Sequence, residues 1–429
     1  MNEIEAVGAE AVLTAIPPRE GSVSDRPERP ERAWIFGFLV APSAVVANGV
    51  IQGGVLAFLL SQQGIGSKVQ SHLIGLMALP TSLYFLWSPL TDFFVRRRTW
   101  LLVGGLLSAV LMAFGFHQKD LSSTNALLLI LLSACLCQLV VSSCGGMMGA
   151  LHSERSKRVA GGFYQAGSLG LGALSVSILI GLSSRVSRDV LGLTAGALIA
   201  LPTLFALAAP QQDHISTGSF GSTMRCIWLE FKATFFRWEA IPYTLCMLFP
   251  MASGAAVSLI PGVAKSYGVS GDNVAWVNGL LGGLLMAAGS VAGTAIPARI
   301  SAPVVYLSLG VINAATLGVL WLGPQTPATY YLGVLLYLFT VGTAYGLFTA
   351  VVLEFLGASG KSGCGRYSII NSLGNIPVLY MIQVDGWGAD RWGARGLSGI
   401  ECVVGGLGGA LLLGYFLLRR KPATAAIAS

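Results

Sequence analysis

Apolar residues in this chain occur in long blocks separated by short polar segments. The first four blocks cover residues 33–60, 69–90, 101–116 and 126–151. An α-helix rises about 1.5 Å per residue, so about 20 apolar residues cross a hydrocarbon core of about 30 Å. Because lipid offers no hydrogen-bond partner to backbone N–H and C=O groups, each block is predicted to form a helix.

Twelve such blocks follow one another, six on each side of a polar segment. The predicted membrane-spanning helices cover residues 33–60, 68–90, 99–117, 124–151, 160–183, 189–209, 240–262, 272–296, 302–322, 328–355, 366–386 and 396–418. We therefore predict an all-α membrane protein with twelve transmembrane helices in two six-helix halves.

The polar segments divide the chain further. Residues 211–239 are predicted to be a central cytoplasmic loop between an N-terminal half, 33–210, and a C-terminal half, 240–419. Residues 1–32 hold seven acids and four arginines without a compact apolar core, and they are predicted to be a disordered cytoplasmic tail. Residues 420–429 are predicted to form a second cytoplasmic tail.

Composition and charge support a membrane location. The 429 residues are 54% hydrophobic and 10% charged, whereas soluble domains carry about 25% charged residues. If the N-terminus is cytoplasmic, nineteen of the 26 lysines and arginines lie in cytoplasmic segments and seven on the other side. This excess fits the positive-inside rule, so we predict a multi-pass protein of the cell (inner or plasma) membrane with both termini in the cytoplasm.

The two predicted halves carry a similar ten-residue segment at matching positions. Residues 161–170 open the fifth predicted helix and residues 365–374 open the eleventh. Both segments begin with Gly, end in Ser-Leu-Gly and have an aromatic residue at the third position. The match supports a parallel duplication, as in transporters built from internal repeats, and therefore pseudo-symmetric halves.

These features together resemble the major facilitator superfamily. The segment from Pro89 through Asp92 to three arginines, residues 96–98, stands where that superfamily keeps a Gly-x-x-x-Asp…Arg loop, although no glycine precedes Asp92 here. Residues 79–92 are similar to the branch that contains muropeptide permeases, acetyl-CoA transporters and siderophore importers, with Tyr84 at a position where that branch has lysine. The resemblance covers about residues 33–418 and implies a transporter fold and alternating access.

Charged residues at the predicted cytoplasmic ends are candidate gate residues. A carboxylate there can pair with an arginine or cap a helix in one conformation and release it in another. The alternative is a basic anchor with a nearby acid by chance. The candidates are Asp92, Arg96, Arg98, Glu154, Arg158, Glu354 and Arg366.

Polar side chains inside the predicted helices are candidates for contacts with a solute. Asn48 and Gln52 lie one helical turn apart, and Tyr367, Asn371 and Asn375 repeat every four residues, so each set shares one face. Such groups line a wet cavity or bond to a neighbouring helix, and we favour the cavity for these two faces. The candidate binding residues are Asn48, Gln52, Tyr84, Gln165, Tyr367, Asn371 and Asn375.

Two acids lie within or at the end of the last predicted helices. Glu401 in the twelfth and Asp385 in the eleventh are candidates for proton coupling, because a carboxylate inside a membrane is costly unless it has a function. The alternative for Glu401 is a position at the outer surface or a pair with Arg395.

The sequence therefore predicts a secondary transporter for a small or mid-sized polar or amphipathic solute, similar to a muropeptide or a siderophore, with proton coupling. The alternative is a non-transporting receptor or assembly factor on a transporter scaffold. An enzyme is not predicted, because the sequence has no intramembrane His/Asp/Glu cluster. We expect a monomer in a lipid bilayer, with no metal, cofactor or nucleic-acid partner.

Overall fold

The computed structural model describes residues 32–93, 95–149, 151, 154–209, 220–294, 301–357 and 364–419. Every regular element among these residues is a helix. Residues 1–31 of the predicted tail, residues 210–219 at the start of the central loop and the last ten residues lie outside the described part of the chain.

The N-terminal group of helices follows the first six apolar blocks. Its members are α1 (Ala33–Ile51), α2 (Val55–Gln62), α3 (Ser67–Ser82), α4 (Tyr84–Phe93), α5 (Arg97–His117), α6 (Thr124–Gly149), α7 (Glu154–Ser183) and α8 (Arg188–Ala208). The first and second predicted helices are each divided in two, so eight helical segments stand where six were expected.

The C-terminal group begins after one further helix. That helix is α9 (Phe220–Phe235), and the group itself comprises α10 (Ile241–Leu248), α11 (short turns from Ala255 to Tyr267), α12 (Gly271–Gly293), α13 (Ala302–Leu322), α14 (Pro327–Gly357), α15 (364–392) and α16 (394–419). Gly393, with φ of +66°, reverses the chain between α15 and α16.

Nine helical segments in the described part of the chain are long and apolar enough to cross a membrane, judged by length and composition. One of them, Ser372–Leu418, contains the reversal at Gly393. The second and seventh predicted helices are broken, so neither supplies one long helix. The all-helical membrane fold is confirmed, and the number twelve stays a prediction.

Two of the breaks require glycine in the left-handed region. Gly54 has φ of +82° between α1 and α2, and Gly254 has φ of +75° between α10 and α11. Side chains with a Cβ rarely adopt these angles, so glycine allows the chain to turn there without strain. A Cβ built on Gly54 would lie 2.5 Å from Cγ of Pro261, because α2 packs directly on α11.

The N-terminal and C-terminal groups meet along several pairs of helices. Besides α2 with α11, helices α3 and α4 pack on the α15–α16 hairpin and α7 packs on α12. Helix α12 departs from α-geometry where it meets α7: residues Ala275–Leu281 are π-helical, and Gly279 has φ of −88° and ψ of −105°. Breaks and bulges therefore coincide with the contacts between the two groups.

The predicted central loop contains a helix that the sequence reading did not expect. The Ser/Thr/Gly-rich start of residues 211–239 suggested an irregular loop. Helix α9 nevertheless covers Phe220–Phe235, and it contacts α4 and the α15–α16 hairpin. Most helical stability in proteins comes from such tertiary packing, which a local polar composition does not reveal.

We predict that Gly54→Ala destabilises the protein more than Gly64→Ala. Both glycines have positive φ, so each substitution carries a left-handed backbone cost of about 1–2 kcal/mol. A Cβ at Gly64 meets no atom within 4 Å, whereas one at Gly54 would contact Pro261 of α11. Thermal unfolding of the detergent-purified variants measures the difference, and equal melting temperatures would show that this contact between the groups does not constrain the fold.

Candidate functional site

The most unusual feature of the described structure is a pair of buried carboxyl groups. Asp385 on α15 is 0% exposed and Glu401 on α16 is 2% exposed. Each lies eight residues from the reversal at Gly393, so the antiparallel helices bring the two side chains to the same height. The hairpin therefore pairs two acids that are sixteen positions apart in the sequence.

Glu401 joins three other parts of the C-terminal group. Its Oε1 accepts hydrogen bonds from the Tyr337 hydroxyl at 2.5 Å and from the Ser253 hydroxyl at 3.2 Å. Its Oε2 accepts the backbone N–H of Ala256 at 2.9 Å. Ala256 lies in the first turn after the break at Gly254, where N–H groups have no helical partner, so Glu401 caps the start of α11.

Asp385 has no comparable set of partners. Neither of its carboxyl oxygens accepts a hydrogen bond, although both are buried. The carboxyl group of Glu401 is the ionisable neighbour of Asp385. The other ionisable groups beside Glu401 are the hydroxyls of Tyr337 and Tyr345.

The charged groups around this pair decide whether its negative charge is balanced. Among the described residues no cationic side chain forms an ion pair with either acid. Arg395 donates to the carbonyl oxygen of Gly323 at 3.2 Å, so it does not pair with Glu401. Two like charges side by side in a low-dielectric interior destabilise each other.

The contact between α7 and α12 contains two hydrogen bonds of the Ser177 hydroxyl, which we call the latch. The Ser177 hydroxyl donates to the carbonyl oxygen of Ala275 at 2.9 Å and accepts the N–H of Leu280 at 2.7 Å. It thereby occupies the π-helical bulge of α12. Just beyond the end of α7, Arg185 forms an ion pair with Asp272 of α12 at 2.7 Å. Both interactions cross from the N-terminal to the C-terminal group.

A second cross-group contact joins α3 to α15. The Gln383 side chain donates to the carbonyl oxygen of Ser71 at 2.9 Å, and the Ser82 hydroxyl donates to the carbonyl oxygen of Asn375 at 3.4 Å. Gln383 precedes Asp385 by two residues, so the buried acids lie next to this contact. In the topology predicted from charge, Ser71 and Gln383 lie toward the outer end of the molecule, as do Arg185 and Asp272.

The candidate binding residues take several different positions. The Asn48 amide donates to the Ser168 hydroxyl at 2.8 Å and so links α1 to α7. Gln52 and Tyr84 are half-buried, and Gln165 is exposed. Asn375 is half-buried on α15, whereas the side chains of Tyr367 and Asn371 lie outside the described residues. Cavity lining by these residues stays a prediction.

The candidate gate residues are only partly described. The side chains of five of them lie outside the described residues, namely Asp92, Glu154, Arg158, Glu354 and Arg366. Arg96 is exposed, and Arg98 donates to the carbonyl oxygen of Leu207 at 2.5 Å, which links the start of α5 to the end of α8. The gate therefore stays a prediction as well.

Sequence reasoning missed several residues of the acid site and of the latch. Tyr337 and Ser253 carry no local signal, because single hydroxyl groups are common in membrane helices. Ser177 carries no local signal either. Only the tertiary structure brings Tyr337 and Ser253 to Glu401 and Ser177 to the bulge at Ala275–Leu281. No group of three or more His, Cys, Asp or Glu suited to a metal occurs in the described part of the chain.

Comparison with solved structures identifies the architecture. A mutant of the nucleoside transporter NupG superposes with a TM-score of 0.68 and 12% identity, over 91% of this chain and 99% of the other. A POT family transporter bound to a thioalcohol-conjugated peptide gives 0.64 and 14%, and one bound to 5-aminolevulinic acid gives 0.63 and 13%, each over 91% of this chain and 96% of the other.

This chain has the major facilitator fold. At these identities the likeness concerns the fold alone. The model of the BT1 family matches residues 45–215, which is less than half of the chain and falls mainly in the N-terminal group. No curated protein sequence matches the chain. The predicted transporter fold is confirmed, and the branch of muropeptide, acetyl-CoA and siderophore transporters stays a prediction.

We predict that Ser177→Ala loosens the bulge of α12. The substitution removes the acceptor of the Leu280 N–H, and a hydrogen bond worth about 1 kcal/mol corresponds to about a five-fold faster exchange of that amide. Hydrogen–deuterium exchange of peptides covering residues 275–281 measures it. Ser183→Ala is the matched control, because Ser183 bonds only to Ile180 of its own helix. Equal exchange in both variants would contradict the latch.

Proposed function

We propose that this protein is a secondary transporter that uses a proton gradient to move a polar solute by alternating access. The observation that carries the proposal is the buried Asp385–Glu401 pair, whose Glu401 contacts a broken helix. The major facilitator fold and the transporter neighbours support the transport class.

Protonation of Glu401 offers a physical route to movement. A charged carboxylate accepts stronger hydrogen bonds than a neutral carboxyl group does. A proton on Glu401 therefore weakens the bonds from Ala256 and Ser253 that fix the start of α11. Because α11 packs on α2 of the N-terminal group, a change in the acid pair alters a contact between the two groups.

The chemistry of the candidate binding residues suggests the class of solute. Asn48, Gln52, Gln165, Asn371 and Asn375 offer amide donors and acceptors but no charge. With Tyr84 and Tyr367 they suit a polar, largely uncharged or amphipathic solute. Muropeptide-like and siderophore-like compounds fit this description. Nucleosides and short peptides join them as classes to test, since solved transporters of the same fold carry those names.

The inner gate in this proposal lies at Asp92. Its other charged members are Arg96, Arg98, Glu154, Arg158, Glu354 and Arg366. Both termini lie on the cytoplasmic side of the cell membrane in this proposal, because the basic residues are concentrated there. The second candidate function is a receptor or assembly factor that binds a solute without moving it.

We predict that Glu401→Gln and Asp385→Asn abolish proton-driven accumulation while exchange of solute persists. Each change leaves the shape of the side chain but removes its titration, so we expect accumulation to fall at least about ten-fold. The measurement is uptake into proteoliposomes under a pH gradient, with counterflow in the absence of a gradient as the second readout. Candidate solutes are first selected by thermal shift of the purified protein.

Asp390→Asn is the matched control, because Asp390 lies on the same helix as Asp385 but is exposed. Accumulation that is insensitive to the pH gradient and to both buried substitutions would overturn proton coupling and leave transport standing. A solute that stabilises the protein but never enters the vesicles would favour the receptor.

A further inference from the structure

Helix α9 and the three residues after it form a segment that the transport proposal does not use. We call residues 220–238 the surface helix. Helix α10 begins at Ile241, directly after this segment, and the backbone of α9 contacts α4 and the α15–α16 hairpin. Chain connection and packing therefore hold the surface helix at the level where membrane helices end.

The surface helix exposes large apolar side chains. Trp228 is 54% exposed, Leu229 55%, Phe236 74% and Trp238 84%. Four such residues within eleven positions form a patch that water solvates poorly. In a membrane protein, tryptophan at the end of a helix typically marks the boundary between headgroups and acyl chains.

Cationic side chains are interleaved with this apolar patch. Arg225, Trp228, Leu229 and Lys232 follow the spacing of one helical face, and all four are exposed. The Lys232 ammonium lies 5.5 Å from the centroid of the Trp228 ring. Arg237 is exposed between Phe236 and Trp238. The one acid of the segment is Glu230, whose side chain lies outside the described residues.

Aromatic contacts fix how this face is presented. The rings of Trp228 and Phe231 stack with centroids 5.6 Å apart. Phe231 also lies 5.1 Å from Phe235 and 6.2 Å from Phe236, measured between ring centroids. Because these rings pack against one another, contacts within the segment itself fix the orientation of the Trp228 side chain.

We propose that the surface helix binds a membrane leaflet rich in anionic phospholipid. Arg225, Lys232 and Arg237 contact lipid phosphates, while Trp228, Leu229, Phe236 and Trp238 enter the boundary between headgroups and acyl chains. A face of alternating cations and aromatics is typical of interfacial helices that bind acidic lipids. A second copy of the chain is the less suitable occupant, because two such faces would bring like charges together.

The contacts of α9 give this binding a consequence for the rest of the molecule. Helix α4 belongs to the N-terminal group and the α15–α16 hairpin to the C-terminal group. Lipid bound to the surface helix therefore acts on an element that touches both groups. The inference itself does not depend on transport, so its test needs no substrate.

The experiment uses the intact protein in nanodiscs of phosphatidylcholine with phosphatidylglycerol, one of which carries bromine near the headgroup end of its acyl chains. The chain has nine tryptophans, so the fluorescence difference between the natural protein and Trp228→Phe isolates Trp228. We expect brominated phosphatidylglycerol to quench this difference signal more strongly than brominated phosphatidylcholine at equal mole fraction. Iodide in the water should quench it weakly.

Substitution of the cations tests the role of charge. R225Q/K232Q/R237Q should remove the preference for phosphatidylglycerol, since each cation near the surface contributes about a five-fold factor. K68Q/K119Q/K265Q removes as many charges from other segments and should keep the preference. If R225Q/K232Q/R237Q does not fold, the proposal is tested by the quenching of the Trp228 difference signal alone.

Three results would overturn the proposal. The first is strong quenching of Trp228 by iodide with none by brominated lipid, which places the helix in water. The second is a preference for phosphatidylglycerol that survives loss of the three cations. The third is a Trp228 signal that ignores lipid bromination but changes with the number of protein copies per disc, which indicates self-association.

Discussion

The rest of the structure depends on one constraint: a polar group inside a membrane protein must find its partner within the protein. The break at Gly254 frees backbone N–H groups at the start of α11, and Glu401 satisfies one of them. The same carboxylate receives Tyr337 and Ser253, so a single acid joins α16, α14 and the broken helix. The buried Glu401 accepts a backbone N–H that the break exposes, and that N–H in turn gives the buried carboxyl group a hydrogen-bond donor.

This arrangement places two buried acids beside an irregular backbone. Asp385 lies next to Glu401, and Gln383, two residues earlier, bonds to α3 of the other group. The bulge of α12 is stabilised in the same way. The Ser177 hydroxyl of α7 forms hydrogen bonds with the backbone groups of Ala275 and Leu280 in the bulge. Some of the contacts between the groups are thus made by backbone groups that a regular helix would have satisfied internally.

Much of the fold could be predicted from the sequence. Long apolar blocks dictate helices, and the charge bias suggests their orientation, which accounts for the helical fold and most helix bounds. The breaks were not predictable in position, because glycine is frequent in membrane helices and only a few of these glycines adopt positive φ. Helix α9 was missed because tertiary packing outweighs the polar start of its segment. Of the residues in the candidate site, the sequence indicates Glu401 and Asp385, but only as two separate acids.

The sequence by itself determined that the chain is a helical membrane protein and that two acids lie in or near its last helices. Only the tertiary structure decided that these acids form a pair, that Glu401 caps α11 and does not meet Arg395, and that Ser177 occupies a bulge of α12. The physical reason is that hydrophobicity and the cost of burying a charge are properties of single residues and their near neighbours. Which side chains contact each other depends on where the chain reverses. The reversal at Gly393 sets which residues of α15 and α16 lie side by side.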